Sequence, residues 1–509
     1  MPKIGKVVGP PGTGKTTYLM GLVREASKKF IPQKIGAISF TNTAVEEIKN
    51  RVAGETNMPA DQYSNIKTVH SHAWHLLGLS KDELAETHIK DFNEKNERYA
   101  LPEKMKAKAD DQDQEDPINQ RTLQRNADIF AKIQLHRQRQ TPLNEWTDIE
   151  RSLWAAYDGW MQDTGLTDFT GMLEKCLEYD LRPDIDMLFC DEWQDASALQ
   201  NALVRRWGQG CEHVMYVGDS DQAIFRWAGA EPEVFRDLPH TWHKVLNQTY
   251  RLSPSVYDFA NSIMAQVPGR EEAEYEPTDK YGHGAIVRAA APDLSLEGSH
   301  MILCRCQYQV KRWITWLTER GELWHNPYRD SDKYWNPTKT RDFEALKTYY
   351  KIIQDYATVS GPELASMVSL MKSDGNLLRG TKARSKDWAM ARVEFTDLID
   401  LGLTYPVIAG KKPINEIFRL KTAAAPIFES MVSWDLKSEP RVIVGTVHSV
   451  KGGEADHVWI DTAISPMIYR SVHATAASYN DEARVAYVAA TRARQTVGLL
   501  NSRLRNPIL

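Results

Sequence analysis

A phosphate-binding loop near the start of the chain constrains the fold more than any other feature. Residues 9–16 read GPPGTGKT, which matches the pattern G-x-x-x-x-G-K-[ST]. An apolar run precedes the loop at residues 4–8, and a helical pattern follows it. A glycine-rich turn between a buried strand and a helix gathers backbone N–H groups around an anion. The alternative, a chance glycine-rich turn, does not account for both flanks, so we predict a nucleotide site.

The residue types in this loop predict which of them bind which part of the nucleotide. We expect Lys15 to reach the β- and γ-phosphates, and the Thr16 hydroxyl to bind Mg²⁺. The other nucleotide contacts that we expect from the loop are Gly9, Pro10, Gly12, Thr13, Gly14 and Thr17.

Length and composition indicate a globular protein with several domains. At roughly 150 residues per domain, a chain of 509 residues holds more than one. Hydrophobic residues make up 42% and charged residues 26%, and no apolar run approaches the roughly 18 residues of a membrane span. The N-terminus has no apolar signal core, and five unevenly spaced cysteines favour a reducing compartment. We therefore predict the cytoplasm, that of the host cell if the source is viral.

Short runs rich in Val and Ile alternate with longer helical patterns. They lie at residues 4–8, 35–40, 187–190 and 214–217, and later at 285–287, 301–303, 442–447, 458–460 and 496–499. Such runs predict buried parallel strands, here in two sheets with helices on both faces. Two mainly helical inserts, at about 78–183 and 321–437, interrupt the alternation. Residues 110–116 of the first insert include five acids and predict a solvated loop.

A pair of carboxylates follows one of the predicted strands, in the stretch LFCDEWQD. A phosphate-binding loop works with a carboxylate at the end of a neighbouring strand and with a residue that orients the attacking water. We predict that Asp191 binds Mg²⁺ and that Glu192 activates the water. The alternative is an acidic turn at the surface.

Further segments follow the phosphate loop and DEWQD in a specific order. Together they resemble the motifs of UvrD/Rep/PcrA-type superfamily 1 helicases, and they span nearly the whole chain. The similar segments are ISFTNTAVEEIKNRV (38–52), TVHS (68–71), VGDSDQAIFRWAGA (217–230), LNQTYRLS (246–253), GTVHSVKGGEADHVWI (445–460) and DEARVAYVAATRAR (481–494).

The resemblance implies an α/β fold of two RecA-like P-loop NTPase domains, each with a mainly helical accessory domain inserted. The expected domains are motor domain 1A at 1–77 and 184–248, accessory domain 1B at 78–183, motor domain 2A at 249–320 and 438–509, and a reduced accessory domain 2B at 321–437.

The resemblance also implies roles for single residues of the nucleotide site. Gln222 is expected to sense the γ-phosphate, and Tyr250 to stack on adenine. Arg251 and Arg492 resemble two arginine fingers, both from the second motor domain, whose guanidinium groups neutralise charge on the transferred phosphoryl group. Glu454 is expected near the ribose and phosphates. A single arginine or tyrosine of this kind is more often a surface or packing residue, so these roles depend on the whole set of motifs.

The resemblance implies a track for a single nucleic-acid strand, built from stacking aromatic rings and hydrogen-bonding side chains. The expected contacts are Phe40, Phe225, Trp227, Thr41, Asn42, Thr68, His70, Thr446 and His448. Core packing is the alternative for Phe40. A basic stretch at 372–392 could grip duplex DNA, with a solvated basic face as the alternative.

The function that follows is an ATP-dependent DNA helicase that moves along single-stranded DNA and uses ATP and Mg²⁺. KGGE at 451–454 has the form of the 3′-to-5′ branch. The alternative is an ATPase, stimulated by single-stranded DNA, that remodels protein–DNA complexes without processive unwinding. We expect single strands and single-strand/duplex junctions as partners and no membrane; protein partners are not predicted.

Two features of the sequence differ from typical members of this family, and a third, the net charge, differs from what is usual in nucleic-acid-binding proteins. Eight residues precede Gly9, which leaves no room for the family's upstream glutamine motif, so we expect weaker selectivity for the base. Ala228 stands where relatives often carry an arginine, so one strand contact is expected to be missing. The net charge of −5 excludes binding through a general coat of positive charge and favours a narrow track.

Overall fold

The computed structural model describes residues 2–56, 58–103, 117–271, 273–329, 336–419, 439–500 and 506–509. The acidic stretch at 110–116 lies outside these residues. The chain forms two compact units. The first comprises residues 1–252, 264–280 and 480–487, and the second comprises residues 253–263, 281–479 and 488–509.

The first unit is built on a six-stranded sheet in which every neighbouring pair is parallel, in the order β3-β2-β4-β5-β1-β6. Its strands are β1 Lys3–Val8, β2 Ile35–Ile38, β3 Ile66–Lys67, β4 Met187–Cys190, β5 His213–Gly218 and β6 Trp242–Val245. Its helices are α1 Lys15–Ala26, α2 Asn42–Thr56, α3 Val69–Leu77, α4 Ile89–Lys95, α5 Pro117–Gln138, α6 Asp148–Thr164, α7 Phe169–Glu178, α8 Ala198–Gly208 and α9 Pro232–Arg236.

Alternation along the strands of this sheet produces two hydrophobic cores, one on each face. Successive strand residues Val7 and Val8 belong to different cores. Helices α1 and α2 pack on one face, and α3, α7 and α8 pack on the other. A third core, separate from the sheet, joins residues of α4, α5 and α6. The first insert therefore contributes both a helix layer for the sheet and a cluster of its own.

The second unit contains another six-stranded parallel sheet, in the order β7-β12-β11-β8-β10-β9. Its strands are β7 Ala285–Ala289, β8 His300–Cys304, β9 Trp324–His325, β10 Val442–Thr446, β11 Ala455–Asp461 and β12 Ala493–Leu500. The remaining helices are α10 Pro254–Met264, α11 Gln307–Glu319, α12 Arg341–Ile353, α13 Gly361–Leu370, α14 Thr381–Arg384, α15 Tyr405–Ile408, α16 Ile414–Ile417, α17 Pro466–Ala474 and α18 Ala476–Ala490.

The second insert does not have a core of its own among the described residues. Its helices α12 and α13 share one hydrophobic cluster with α11 and with the sheet strands β8 and β10. The structure thus confirms two parallel α/β sheets of the RecA-like kind, whereas the bounds of the four predicted domains stay a prediction.

All nine predicted strands are present, and the sequence patterns missed three others. β3 and β9 have two residues each, too few for a visible pattern, and β6 is an edge strand whose residues are half-buried or exposed. The five cysteines form no disulfide, and four of them are buried. Within the described part of the chain, no helix combines the length and the apolar character needed to cross a membrane.

A buried histidine makes the first unit sensitive to acid. His72 lies on the buried face of α3, with its ring 5.4 Å from that of Trp207. Among the described residues, no group hydrogen-bonds its Nε2 atom. Burial, with a smaller contribution from the charge of Lys67, lowers the pKa of His72 to about 3.

Because the unfolded chain binds a proton at His72 below a pKa of roughly 6.5 and the folded chain does not, stability falls as the pH drops from about 6.5 towards 3. We expect His72→Phe, which keeps the ring contact, to remove about 2 kcal/mol of the loss in unfolding free energy between pH 7 and pH 5. Urea unfolding of both proteins at the two pH values measures this. Equal pH dependence in wild type and variant would contradict the assignment.

Candidate functional site

The phosphate loop lies at the carboxyl end of β1, where left-handed glycines let it turn. Gly12 and Gly14 have φ angles of 73° and 77°, which favour glycine. Gly14 begins α1 without a side-chain cap, and the first turn of α1 contains no acidic residue. The Lys15 side chain folds back over the loop, and its Nζ donates to the Gly9 carbonyl at 2.7 Å. An uncapped helix N-terminus beside a buried lysine is suited to bind an anion.

The predicted carboxylate pair follows β4, which β5 separates from β1 and its phosphate loop in the sheet order. Asp191 is buried, and its Oδ1 accepts a hydrogen bond from the Glu192 amide at 3.0 Å. Burial and the neighbouring Glu192 charge raise the pKa of Asp191 to about 7, and the Lys15 charge opposes them. Glu192 adopts a left-handed backbone conformation with φ 51°. Its carboxylate accepts a hydrogen bond from the Gln194 side chain.

A third carboxylate, Asp219, joins this site at the end of β5. Its Oδ2 accepts from the Gln222 side chain at 2.7 Å, and its backbone N–H donates to Gln194 Oε1 at 2.9 Å. Burial raises its pKa, and the charge of Lys15 opposes that rise. Gln222, predicted as a phosphate sensor, is therefore linked through Asp219 and Gln194 to Glu192. Sequence reasoning missed Asp219 and Gln194, although the position of Asp219 after a predicted strand was a usable signal.

The segment that follows β6 is fastened to the phosphate loop by hydrogen bonds. Thr249 Oγ1 donates to the Pro11 carbonyl at 2.7 Å, and the Tyr250 amide donates to the Gly12 carbonyl at 2.8 Å. The approach is so close that a Cβ atom on Gly12 would lie 2.4 Å from Arg251 Cβ. Arg251 consequently belongs to the first unit, which corrects the expectation that both arginines come from the second.

The adenine-stacking candidate in this segment presents its ring to solvent, since Tyr250 is 65% exposed. Pro10 is buried, Thr16 is half-buried and Thr17 is exposed, and their predicted roles stay predictions. The Thr13 hydroxyl donates to the Pro10 carbonyl at 2.8 Å and so stabilises the turn.

The other two nucleotide-site candidates lie in the second unit. Arg492 is buried, and its guanidinium donates to the carbonyls of Val488 at 3.0 Å and Gly453 at 3.2 Å. Glu454 accepts from Arg494 Nη2 at 2.6 Å. Arg492 thus holds the loop that precedes Glu454. Arg494, which sequence reasoning did not single out, fixes the position of the Glu454 carboxylate.

Several strand-track candidates of the first unit stand near the carboxyl ends of β2 and β3. Phe40 is half-buried, with its ring 5.9 Å from that of Trp193, so core packing accounts for part of its surface. Thr41 and Asn42 are exposed at the start of α2. Thr68 caps α3 by accepting from Ser71 at 3.1 Å.

His70 is half-buried with its ring 6.0 Å from Phe169, and burial lowers its pKa. At neutral pH this histidine offers a neutral hydrogen-bonding group rather than a charge.

The most exposed aromatic ring of the predicted track is Trp227, at 69%. It lies 6.3 Å from Phe225 in an edge-to-face arrangement. The neighbouring Arg226 fixes this loop, because its Nη1 binds both carboxylate oxygens of Glu233 at 2.9 and 3.0 Å, and its Nε lies 3.4 Å from Asp481. An exposed ring on a fixed loop is suited to stack on a base.

In the second unit, Thr446 and His448 lie in the turn that follows β10. Thr446 Oγ1 accepts from the Ser449 amide at 3.2 Å, and His448 is half-buried. The basic stretch at 372–392 is partly used by the fold itself. Lys372 Nζ donates to the Asn415 carbonyl at 2.7 Å, and Lys382 Nζ donates to backbone carbonyls of α13 and its end. These two lysines therefore have a structural role.

The described residues contain no group of three or more His, Cys, Asp and Glu side chains arranged to hold a metal ion. A magnesium ion would therefore need ligands beyond protein carboxylates, such as a hydroxyl, water and phosphate oxygens.

Comparison with known proteins connects this geometry to one family. A family model described as UvrD/REP helicase N-terminal domain matches residues 3–243, and one described as UvrD-like helicase C-terminal domain matches residues 336–501. The chain is 23% identical over 309 residues to a probable DNA helicase II homolog of Mycoplasma capricolum, which covers 56% of this chain and 42% of that protein.

Two further relatives have names of the same kind. The ATP-dependent DNA helicase Rep of Buchnera aphidicola subsp. Baizongia pistaciae is 21% identical over 444 residues, covering 78% of this chain and 62% of Rep. The ATP-dependent DNA helicase PcrA of Leuconostoc citreum is 24% identical over 276 residues, covering 51% of this chain and 36% of PcrA. The chain thus spans between 36% and 62% of the length of these relatives.

The hydrogen bond from Thr249 to the phosphate loop can be tested by substitution. Thr249→Val removes the hydroxyl and leaves the buried Pro11 carbonyl without its donor, at a cost of about 1–3 kcal/mol. We expect the Kd for a fluorescent ATP analogue to rise about tenfold. Thr249→Ser keeps the hydroxyl and should bind like wild type. Equal affinities of the two variants would show that this hydrogen bond does not shape the site.

Proposed function

Because the chain belongs to the UvrD/Rep helicase family, we propose that it is an ATP-dependent DNA helicase that moves along single-stranded DNA. Its substrates are single strands and single-strand/duplex junctions, and it acts in the cytoplasm. The support comes from the family, from the buried carboxylates beside the phosphate loop and from the exposed tryptophan on the adjoining loop.

The observation that carries the proposal is the segment from Asp219 to Trp227. At its start, Asp219 and Gln222 are hydrogen-bonded to each other inside the buried site. At its end, Trp227 is exposed on a loop that Arg226 ties to Glu233. One short segment therefore joins a candidate phosphate sensor to a candidate base-stacking ring. A shift of Gln222 would be transmitted to Trp227 through a few residues of backbone.

The residues around the phosphate loop fit a divalent cation. Asp191 is buried and its raised pKa reflects a carboxylate whose charge the surroundings compensate only in part. Thr16 and Asp191 would hold Mg²⁺, which neutralises phosphate charge when bound. A cation there would stabilise the ionised form of Asp191.

The chain's own side chains divide the remaining work on ATP. Lys15 binds the phosphates, and Glu192, oriented by Gln194, accepts a proton from the attacking water. Gln222 contacts the terminal phosphate. The guanidinium groups of Arg251 and Arg492 are proposed to supply positive charge to the transferred phosphoryl group. Tyr250 stacks on the base, and Glu454 contacts the ribose or phosphates.

The strand is held by stacking more than by charge. Phe40, Phe225 and Trp227 contact bases, and the hydroxyl and imidazole groups of Thr68, His70 and His448 contact sugar or phosphate. The remaining polar contacts are Thr41, Asn42 and Thr446. The KGGE form at 451–454 supports movement in the 3′-to-5′ direction.

Duplexes that carry either a 3′ or a 5′ single-stranded tail test activity and direction together. We expect the wild-type chain to displace a labelled strand from the 3′-tailed duplex in the presence of ATP and Mg²⁺, and not from the 5′-tailed one. Lys15→Ala should displace neither strand and hydrolyse no ATP, because the phosphate cradle loses its buried cation. Arg24→Ala, which alters an exposed arginine of α1, is the control and should behave like wild type.

Each result of this assay decides one part of the proposal. Displacement from the 5′-tailed duplex alone would overturn the direction. DNA-stimulated ATP hydrolysis without displacement from either duplex would replace the helicase with a remodelling ATPase. Substantial hydrolysis by Lys15→Ala would overturn the assignment of the phosphate loop.

A further inference from the structure

An open cavity with a mixed polar and apolar lining lies in the first unit, apart from the residues assigned to nucleotide and strand. It has a volume of about 440 Å³ and is bounded by α8, by Gln140 shortly after α5 and by α9. Helix α8 contributes residues 198, 201, 202, 205 and 206, and Gln209 follows the end of the helix. None of these residues belongs to the nucleotide site or to the strand track.

Two of the three amide side chains that line the cavity present hydrogen-bond donors, because the protein itself uses their acceptor atoms. Asn201 Oδ1 accepts from Trp193 Nε1 at 3.3 Å, and Gln209 Oε1 accepts from Arg206 Nη1 at 3.2 Å. The NH₂ groups of both amides are left for another acceptor. A ligand that suits this lining must supply acceptor oxygens.

The charges of the lining residues also indicate a ligand with acceptor oxygens. Of the two arginines that line the cavity, Arg206 forms an ion pair with Asp180, which also pairs with Arg182. Arg205 is exposed, and among the residues that the structure describes it has neither an ion-pair nor a hydrogen-bond partner. None of the described residues that line the cavity is acidic. One uncompensated guanidinium beside two amide donors matches one carboxylate or one phosphate.

The apolar part of the lining favours a carboxylate of a polypeptide over a phosphate of a nucleic acid. Ala198, Ala202 and Val234 provide small apolar surfaces beside Arg205. Single-stranded nucleic acid is held by aromatic stacking and by several cations along its backbone. None of the lining residues is aromatic, and Arg205 is the one lining cation without an acidic partner among the described residues. A polypeptide offers both a single carboxylate and a small apolar side chain next to it.

We propose that this cavity is a docking site for an acidic segment of a partner protein, with one carboxylate bound by Arg205 and an adjacent small apolar side chain packed on Ala198, Ala202 and Val234. The amide groups of Asn201 and Gln209 donate to the same carboxylate or to the peptide backbone. This site goes beyond the proposed helicase activity and does not depend on it, since it recruits a protein through a surface separate from ATP and DNA.

The experiment uses the full chain and a fluorescein-labelled peptide of sequence Gly-Ser-Asp-Glu-Asp-Ala-Val, titrated by fluorescence anisotropy. A charge-assisted hydrogen bond contributes enough that its loss weakens binding by roughly 10- to 100-fold. We expect that reduction for Arg205→Glu and a smaller one for Arg205→Gln. Arg24→Glu, on α1 at the opposite face of the sheet, makes the same charge change and should bind like wild type.

Three controls make the outcome decisive. The peptide with Asn and Gln in place of its acids should not bind. ATP hydrolysis and thermal unfolding of the Arg205 variants should match wild type, because Arg205 is exposed and outside the nucleotide site. Labelled oligothymidylate should bind wild type and Arg205→Glu equally.

Two results would overturn the proposal. One is peptide binding that is absent up to about 1 mM or unchanged in both Arg205 variants. The other is oligothymidylate binding that depends on Arg205, which would assign the cavity to nucleic acid.

Discussion

The burial of Lys15, Asp191 and Asp219 at the carboxyl edge of one parallel sheet is the constraint on which the first unit depends. Ionised groups removed from water destabilise a fold unless partners compensate them. Here the lysine charge lowers the cost of both carboxylates, while burial keeps their pKa values raised. The compensation is therefore partial. An incoming cation and phosphate groups would complete it, so the unbound site is arranged for ligands that the protein does not itself supply.

This arrangement also determines which parts of the unit can respond to a ligand. Asp219 contacts Gln194 on one side and Gln222 on the other, so a change at either side chain reaches the third carboxylate. Beyond Gln222 the backbone continues to the loop of Trp227. That loop is fixed by Arg226 and by Arg139, whose guanidinium donates to the Arg226 carbonyl at 3.2 Å. A short backbone segment, held in place by these hydrogen bonds, therefore connects Trp227 to the nucleotide site.

The sequence predicted those parts of the structure that depend on local patterns. Apolar runs between glycine and helix signals located β1, β4 and β5 and placed Lys15 and Asp191 at their ends. The network around Asp219 was not predictable in this way, because it requires β1, β4 and β5 to be neighbours in the sheet. The place of Arg251 was missed for a similar reason, since two hydrogen bonds from residues 249 and 250 decide it. Arg205 has no local signature, because the ion pairs that Asp180 forms with Arg182 and Arg206 are decided only in the folded chain.

DNA-stimulated ATP hydrolysis by Asp219→Asn tests whether Asp219 couples the nucleotide site to the tryptophan loop. The measurement compares hydrolysis without DNA and with saturating single-stranded DNA, in wild type and variant, beside DNA binding at equilibrium. The variant keeps the shape of the side chain but loses the charged acceptor of Gln222. We expect DNA binding close to wild type and a loss of stimulation by DNA that is larger than any loss of basal hydrolysis. Full stimulation of the variant by DNA would contradict it.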